Sequence, residues 1–388
     1  MNENKPPFWR DSRFINIFLQ TIILLIVLLL LVIFSHNLSE NFPQDLTFGF
    51  KFIFDPDLNS RFDIGDSPIP YQATDPYSRA ILVGLLNSLR VMIIGLILAF
   101  TLGVIVGLGR LSNNWLVRQI AIVYIETIRN TPLLLQLFFW YSAVFLKLPK
   151  IDNPLIFVNT LFLSNQGIYL PRLIINFQNF LVAAFLLISL LLTVIIWRKK
   201  NQVILQQGAT GNLYQTFLIG IGIAVILVII LELDWQFPQY DAQIKQIQGG
   251  LTLSPEFTAL LVGLTIYTAA FIAEVVRAGI QSVSQGQWEA AKALGLNSRL
   301  MMRLVIFPQA LRVMIPPLTS EFLNLAKNSS LASAVAYRDI YAVSSTISNQ
   351  TGKSLEMLMI VMVTYLIINL IISVVMNSFN RFVQIKEK

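Results

Sequence analysis

The sequence predicts an all-α integral membrane protein of about eight transmembrane helices. Of its 388 residues, 55% are hydrophobic and 13% are charged, more apolar surface than one soluble core of this length can bury. Runs such as 21–34, 180–197 and 217–233 are almost free of charge and approach or reach the ~20 residues a helix needs to cross the hydrocarbon of a bilayer. The basic residues fall in short segments between such runs, as they do in multi-pass proteins.

Taken in order, the apolar stretches predict helices at 14–34, 80–109, 119–146, 179–197, 214–233, 254–280, 313–336 and 356–379. Residues 1–13 are polar and basic. The run after them is too long for a signal-peptide core and lacks a small-residue cleavage site, so 14–34 is expected to remain as an extra first helix. Segment 35–78 carries Glu40, Asp45, Asp55, Asp57, Asp63, Asp66 and Asp75 among several prolines, an acidic, turn-rich external loop. Two helices then occupy 79–146. A loop and an inserted helix pair occupy 147–250, and three helices with a long loop at 281–312 occupy 251–388. With the N-terminus inside, most basic residues lie on the cytoplasmic side, among them Arg110, Arg118, the Arg198-Lys199-Lys200 cluster, Lys292, Arg299 and Arg303. The opposite orientation inverts that bias, so both termini are expected in the cytoplasm.

Several chemistries are unsupported by the residue inventory. There is no cysteine and one histidine, His36, which leaves nothing for disulfides, thiolate or zinc centres, and no metal site is expected. No GxxxxGK[ST] loop is present to cradle phosphates and no HExxH motif, so this chain is not expected to be an enzyme. The net charge of +7 is scattered over loops and does not line one surface, which argues against a nucleic-acid partner.

The most informative stretch is 284–317, SQGQWEAAKALGLNSRLMMRLVIFPQALRVMIPP, the longest inside loop with a helical pattern of its own. Ser284 and Gln287 are spaced as a capping box, and Gly295 suits the end of a helix of about three turns. Ala290, Ala291 and Ala293 would form a narrow surface open to close approach, with Glu289 and Lys292 at its rim. This loop resembles that of the permeases of ATP-binding-cassette (ABC) importers, which reads EAA, three residues, G, nine residues, I-x-L-P. Here Glu289-Ala290-Ala291, Gly295, Val305, Phe307 and Pro308 stand at those places. The resemblance implies that Glu289, Ala290, Ala291, Gly295 and Pro308 belong to a coupling helix seated on a cytoplasmic ATPase, with ATP and Mg bound by that partner and no cofactor on this chain.

Segments 84–141, including ETIRNTPLLLQLFFW at 126–140, 257–295 and NLAKNSSLASAV at 324–335 resemble the polar amino-acid branch of that family. The resemblance implies a five-helix permease core, to which the helix at 14–34 and two helices near 179–233 are additions, as in the larger membrane subunit of general or neutral L-amino-acid transporters. It further implies an inner-membrane location, an ATPase dimer, a periplasmic amino-acid-binding protein and a second homologous permease, in a heterodimer or else a homodimer. The competing readings are a permease for another small polar solute and a secondary transporter or channel, neither of which accounts for both loop and branch motifs.

Charge within membrane helices is costly, so the pairs Glu126/Arg129 and Glu274/Arg277, each spaced i,i+3, call for an explanation. Paired charge at the interface is the plainer one; with Lys327 they are also candidate gate charges. Thr131-Pro132 should break the third helix, and Pro308, Pro316 and Pro317 should bracket the start of the seventh. Gln136, Thr265, Tyr267, Thr268, Asn324, Asn328, Ser329 and Ser330 are candidate substrate-path residues, weighed against a role as polar packing between helices. The surroundings of Arg90 stay open.

Overall fold

A computed structural model describes residues 21–22, 25–26, 28–29, 32–33, 49–55, 58–157, 160–174, 177–207, 212–231, 234–241 and 243–383. Segment 1–13, His36 and most of the expected helix 14–34 lie outside the described residues. The described chain is predominantly helical, as the sequence predicts. The helices are α1 (Tyr77–Arg110), α2 (Trp115–Arg129), α3 (Leu133–Phe138), α4 (Phe177–Gln207), α5 (Asn212–Leu231), α6 (Pro255–Gln281), α7 (Gln285–Ala293), α8 (Ser298–Met301), α9 (Phe307–Asn328), α10 (Ile340–Thr351) and α11 (Ser354–Val383). Among the described residues four helical stretches are long and apolar enough to cross a membrane, Tyr77–Arg110, Pro255–Gln281, Ser298–Val335 and Ser354–Val383. Leu133–Lys147 and Asn212–Val225 are shorter apolar helices.

The 34 residues of α1 extend about 50 Å, more than the ~30 Å hydrocarbon core, so its ends reach into both interfaces. Its centre lies against α6. Gly95, Ala99, Gly103 and Gly107 repeat every four residues along one stripe of α1. A Cβ at Gly103 would stand 2.6 Å from Ile272 Cβ, and one at Gly107 2.7 Å from the Ala273 carbonyl oxygen and 2.8 Å from Val276 Cβ. Lipid offers no hydrophobic drive to join helices, so such close approach, with the dispersion contact it permits, is what holds the pair. Around it a continuous core joins Met92, Ile272, Val276, Ile306, Met314 and Leu325. Outward residues such as Met362, Leu366 and Val374 of α11 remain exposed because their solvent is lipid.

The third helix breaks where Thr131-Pro132 predicts. α2, capped by the Asn114 carboxamide oxygen on the Leu116 and Val117 amides, stops at Arg129. The chain restarts as α3 and continues through a π-turn, Phe139–Val144. Gln136 donates to the Ile128 and Thr131 carbonyls at 2.9 and 3.0 Å, satisfying backbone that the break set free. The expectation for Pro316 and Pro317 fails, however. α9 starts at Phe307, with Pro308 in its first turn where no amide donor is needed, and runs on through both later prolines. What they lose locally, the Arg312 and Val313 carbonyl bonds, is tolerated inside a helix packed on α6 and α11.

Two features went unpredicted. Strands flank the inserted helices: β1 (Leu155–Phe157), β2 (Leu161–Ser164), β3 (Gly167–Leu170) and β4 (Arg172–Leu173) before α4, then β5 (Trp235–Gln236), β6 (Gln239–Asp241), β7 (Gln246–Gln248) and β8 (Leu251–Leu253) after α5. Antiparallel pairing of β3 with β8, Tyr169 opposite Thr252, and of β4 with β5 closes the base of the insertion. The second is α10, bounded by Asp339, whose carboxylate accepts from the Ala342 amide at 2.8 Å, and by Gly352 at φ +71°. Burial pushes the Asp339 carboxyl up to about 6.

Arg90, left open by sequence, lies in a polar latch. Its Nη1 meets Asp66 Oδ1 at 2.8 Å and its guanidinium lies 3.9 Å from the Phe257 ring centre, while Ser254 donates to Asp66 Oδ2 at 3.1 Å. Next to it Asn87 donates to the Asp66 and Arg338 carbonyls, and Ser88 accepts from the Ile340 amide at 3.0 Å. The acidic loop is thus tied to α1, to α6 and to the approach to α10.

Two outcomes are expected in thermal unfolding of the detergent-purified protein. Gly103→Val should destabilise by about 1–3 kcal/mol through overpacking, whereas Gly220→Ala, with no atom within 4 Å of its added Cβ, should not. Asp66→Ala, which strands the part-buried Arg90, should cost several times more than Asp75→Ala, whose Arg79 partner is exposed.

Candidate functional site

The loop between α6 and α9 carries α7. Ser284 precedes it, yet its hydroxyl makes no capping bond; the Gln287 amide donates to the Ser284 carbonyl at 3.0 Å, and the Gln287 side chain accepts from Gln309 Nε2 at 3.1 Å. The expected capping box does not form because the side chain that would complete it is taken by Gln309. The C-terminal expectation holds. Gly295 adopts φ +70°, its amide donates to the Lys292 carbonyl and the Leu296 amide to the Ala291 carbonyl at 3.2 Å, the paired bonds of a Schellman stop.

Ala291 does not belong to the exposed surface that sequence assigned it. It is 2% exposed and packs in the core with Val283, Met301 and Ile306, tying α7 to the π-turn Met302–Ile306 and on to α9. The outward face consists of Glu289, Ala290, Lys292, Ala293 and Leu294, with Glu289 accepting from Gln285 Nε2 at 3.0 Å. Leu294 is 79% exposed at the helix end. Sequence reasoning passed over it. An apolar side chain beside a φ-positive glycine in a polar loop was the available signal. Pro308, part-buried, lies in the first turn of α9.

A charge cluster stands where α1, α2 and α6 meet near this loop. Glu274 joins two guanidiniums, accepting from Arg110 Nη1 at 2.7 Å and from Arg277 Nε at 3.0 Å. Arg277 also donates to Gln281. Glu274/Arg277 is therefore a pair, but Glu126/Arg129 is not: Glu126 faces Arg110 at 3.8 Å, and Arg129 lies over the Phe271 ring at 5.3 Å. The tertiary approach of α1 offers Glu126 a better partner than its helical neighbour. Lys327 is exposed on α9, outside this ion-pair network. Arg110, the centre of the network, was counted from sequence only as an inside loop charge.

The candidate path residues divide into two groups. Ser329 and Ser330 donate to the Ala326 and Lys327 carbonyls of their own helix, and Gln136 is used at the break, so packing accounts for their donors. Thr265 is buried with its hydroxyl unpartnered, Gln136 Oε1 likewise, and Thr268 is 3% exposed. Tyr267 stacks on Phe271 at 4.9 Å between centres. Asn324 is exposed three residues beyond Glu321, and Asn328 is half-buried one turn on. Glu321 lies part-buried on the same helix. This carboxylate within an apolar helix was missed, although its charge alone should have flagged it.

Residues 250–386 match the family described as binding-protein-dependent transport system inner membrane component. The ABC transporter permease protein YhdX of Escherichia coli K12 is 42% identical over 365 residues, covering 91% of this chain and 90% of its own. The general L-amino acid transport system permease protein AapQ of Rhizobium johnstonii is 38% identical, over 97% of this chain and 94% of its own. The glutamate/glutamine/aspartate/asparagine transport system permease protein BztB of Rhodobacter capsulatus is 39% identical, over 97% and 96%.

The φ-positive stop predicts a graded series. Gly295→Asn, which tolerates left-handed backbone, should leave tryptic cleavage at Lys292 and Arg299 unchanged, while Gly295→Val should speed it about tenfold by raising the population with α7 unwound.

Proposed function

The chain belongs to the amino-acid ABC transporter permease family, and on that premise we propose that it passes L-amino acids of broad or neutral range from periplasm to cytoplasm by alternating access. In this reading both termini and α7 face the cytoplasm, and a five-helix core built from α1, α2 with α3, α6, α9 and α11 pairs with a homologous permease. The preceding helix and the α4–α5 hairpin are additions to that core. A periplasmic binding protein delivers the substrate. ATP and Mg²⁺ are held by two separate ATPase subunits, which supply the energy; this chain transmits movement and forms the path.

The observation that carries the proposal is the construction of α7. Its outer face, Glu289, Ala290 and Leu294, is free for a partner, while Ala291 on its inner face is part of the core that runs through Met301, Ile306 and Met314 toward the membrane helices. A close-packed core has low compressibility, so displacement of α7 is passed to α9 and is not absorbed in the loop. The Arg110–Glu274–Arg277 network with Glu126, Arg129 and Lys327 acts as the gate, trading partners as α1 and α6 shift. Along the path Glu321 and Asn324 offer a carboxylate and a carboxamide for the substrate's ammonium. Thr265, Thr268, Tyr267 and Asn328 supply further polar contacts.

The test is detergent pull-down of the tagged permease from cells that express the whole transporter, with uptake of labelled glutamine and glutamate measured in parallel. The native loop should retain an ATPase, and Glu289→Arg with Leu294→Asp should lose it and reduce uptake to roughly a tenth or less while permease abundance is kept. Uptake that persists with no ATPase bound would sink the proposal.

A further inference from the structure

An open groove of about 490 Å³ lies between α1, α6 and α9 on the side of the membrane that bears α7. Phe100, Val104 and Leu108 form one wall, and Val276 and Ile280 lie beneath. The other wall is a row on α9, Phe307, Leu311, Met314 and Leu318, spaced by four, three and four residues so that all share a face. That row is roughly 16 Å long at 1.5 Å per residue, against ~15 Å for one leaflet of a ~30 Å hydrocarbon core. At the loop end the groove closes on Arg299 and Arg303, one helical turn apart. Both are exposed, and neither has an ion pair or hydrogen bond among the described residues.

We propose that this groove binds one anionic phospholipid, its phosphate held by Arg299 and Arg303 and one acyl chain laid along the α9 row. Charge and length select that occupant together. A free phosphate would satisfy the guanidiniums and leave the exposed Phe100, Leu108 and Phe307 uncovered, and a neutral helix of a second permease would cover them and leave two cations without an anion. A zwitterionic lipid brings its own cation to the same place. The bound lipid bridges α1, α6 and the Met302–Ile306 turn on which α7 rests, so its occupancy braces the coupling loop against the membrane helices.

The experiment uses the assembled transporter, delipidated in detergent, with native mass spectrometry to count retained lipid and thermal unfolding to read its effect. Phosphatidylglycerol should be retained and should raise the Tm; phosphatidylcholine and glycerol phosphate should not. R299Q/R303Q should weaken phosphatidylglycerol retention about tenfold or more with an unchanged Tm in phosphatidylcholine. Leu311→Trp, which fills the groove and keeps both arginines, should weaken it also. Equal retention of the two lipids, stabilisation by glycerol phosphate alone, or retention unaltered in either variant overturns the proposal. So does disulfide-length crosslinking from Phe100→Cys, in a chain with no other cysteine, to a cysteine placed in the second permease, which would give the groove to that subunit.

Discussion

Close approach of α1 and α6 at Gly103 and Gly107 is the contact on which most of this architecture depends. In water a loosely fitted helix pair is still driven together by its apolar surface; in lipid that drive is absent, and contact distance decides whether helices associate. Once α1 lies against Ile272, Ala273 and Val276, its last residue, Arg110, arrives at Glu274, and the paired charges become affordable at membrane depth. The groove between α1 and α9 follows from the same contact, with the buried Val276 and Ile280 of α6 as its floor.

The two ends of the bundle are secured differently. On the side of the acidic loop, polar groups do the holding: Asp66, Arg90 and Ser254 together with Asn87 and Ser88 connect sequence segments up to 252 residues apart through directional bonds. On the side of α7 the connection is apolar, from Ala291 through Met301 and Ile306 into α9. Directional hydrogen bonds in a low-dielectric setting fix one arrangement, and a close-packed apolar contact of low compressibility passes a displacement on to the element it touches.

The break after α2 and the prolines of α9 illustrate how one residue type has two outcomes. At Pro132 the chain leaves the helix, and Gln136 takes up the released carbonyls. At Pro316 and Pro317 the helix continues, since both neighbours α6 and α11 confine it. Neither result follows from proline alone; what surrounds the lost hydrogen bond determines whether the backbone departs or stays.

By itself the sequence determined the membrane class, most of the long apolar helices among the described residues, the break at Pro132, the φ-positive end of α7 and the family to which the EAA loop points. Each of these is encoded in residues close together, through period, charge spacing or a glycine's freedom at one φ. Tertiary structure alone decided that Ala291 faces inward while Leu294 faces out, that Gln287 bonds Gln309 instead of capping α7, that Glu126 turns to Arg110 and not Arg129, and that Arg90 meets Asp66. The strands around the inserted helices belong here too, because runs of two to four residues carry no readable period until a partner strand completes them. The physical reason is common to all: a side chain's partner is chosen by which helices approach, and that approach joins residues far apart in the chain.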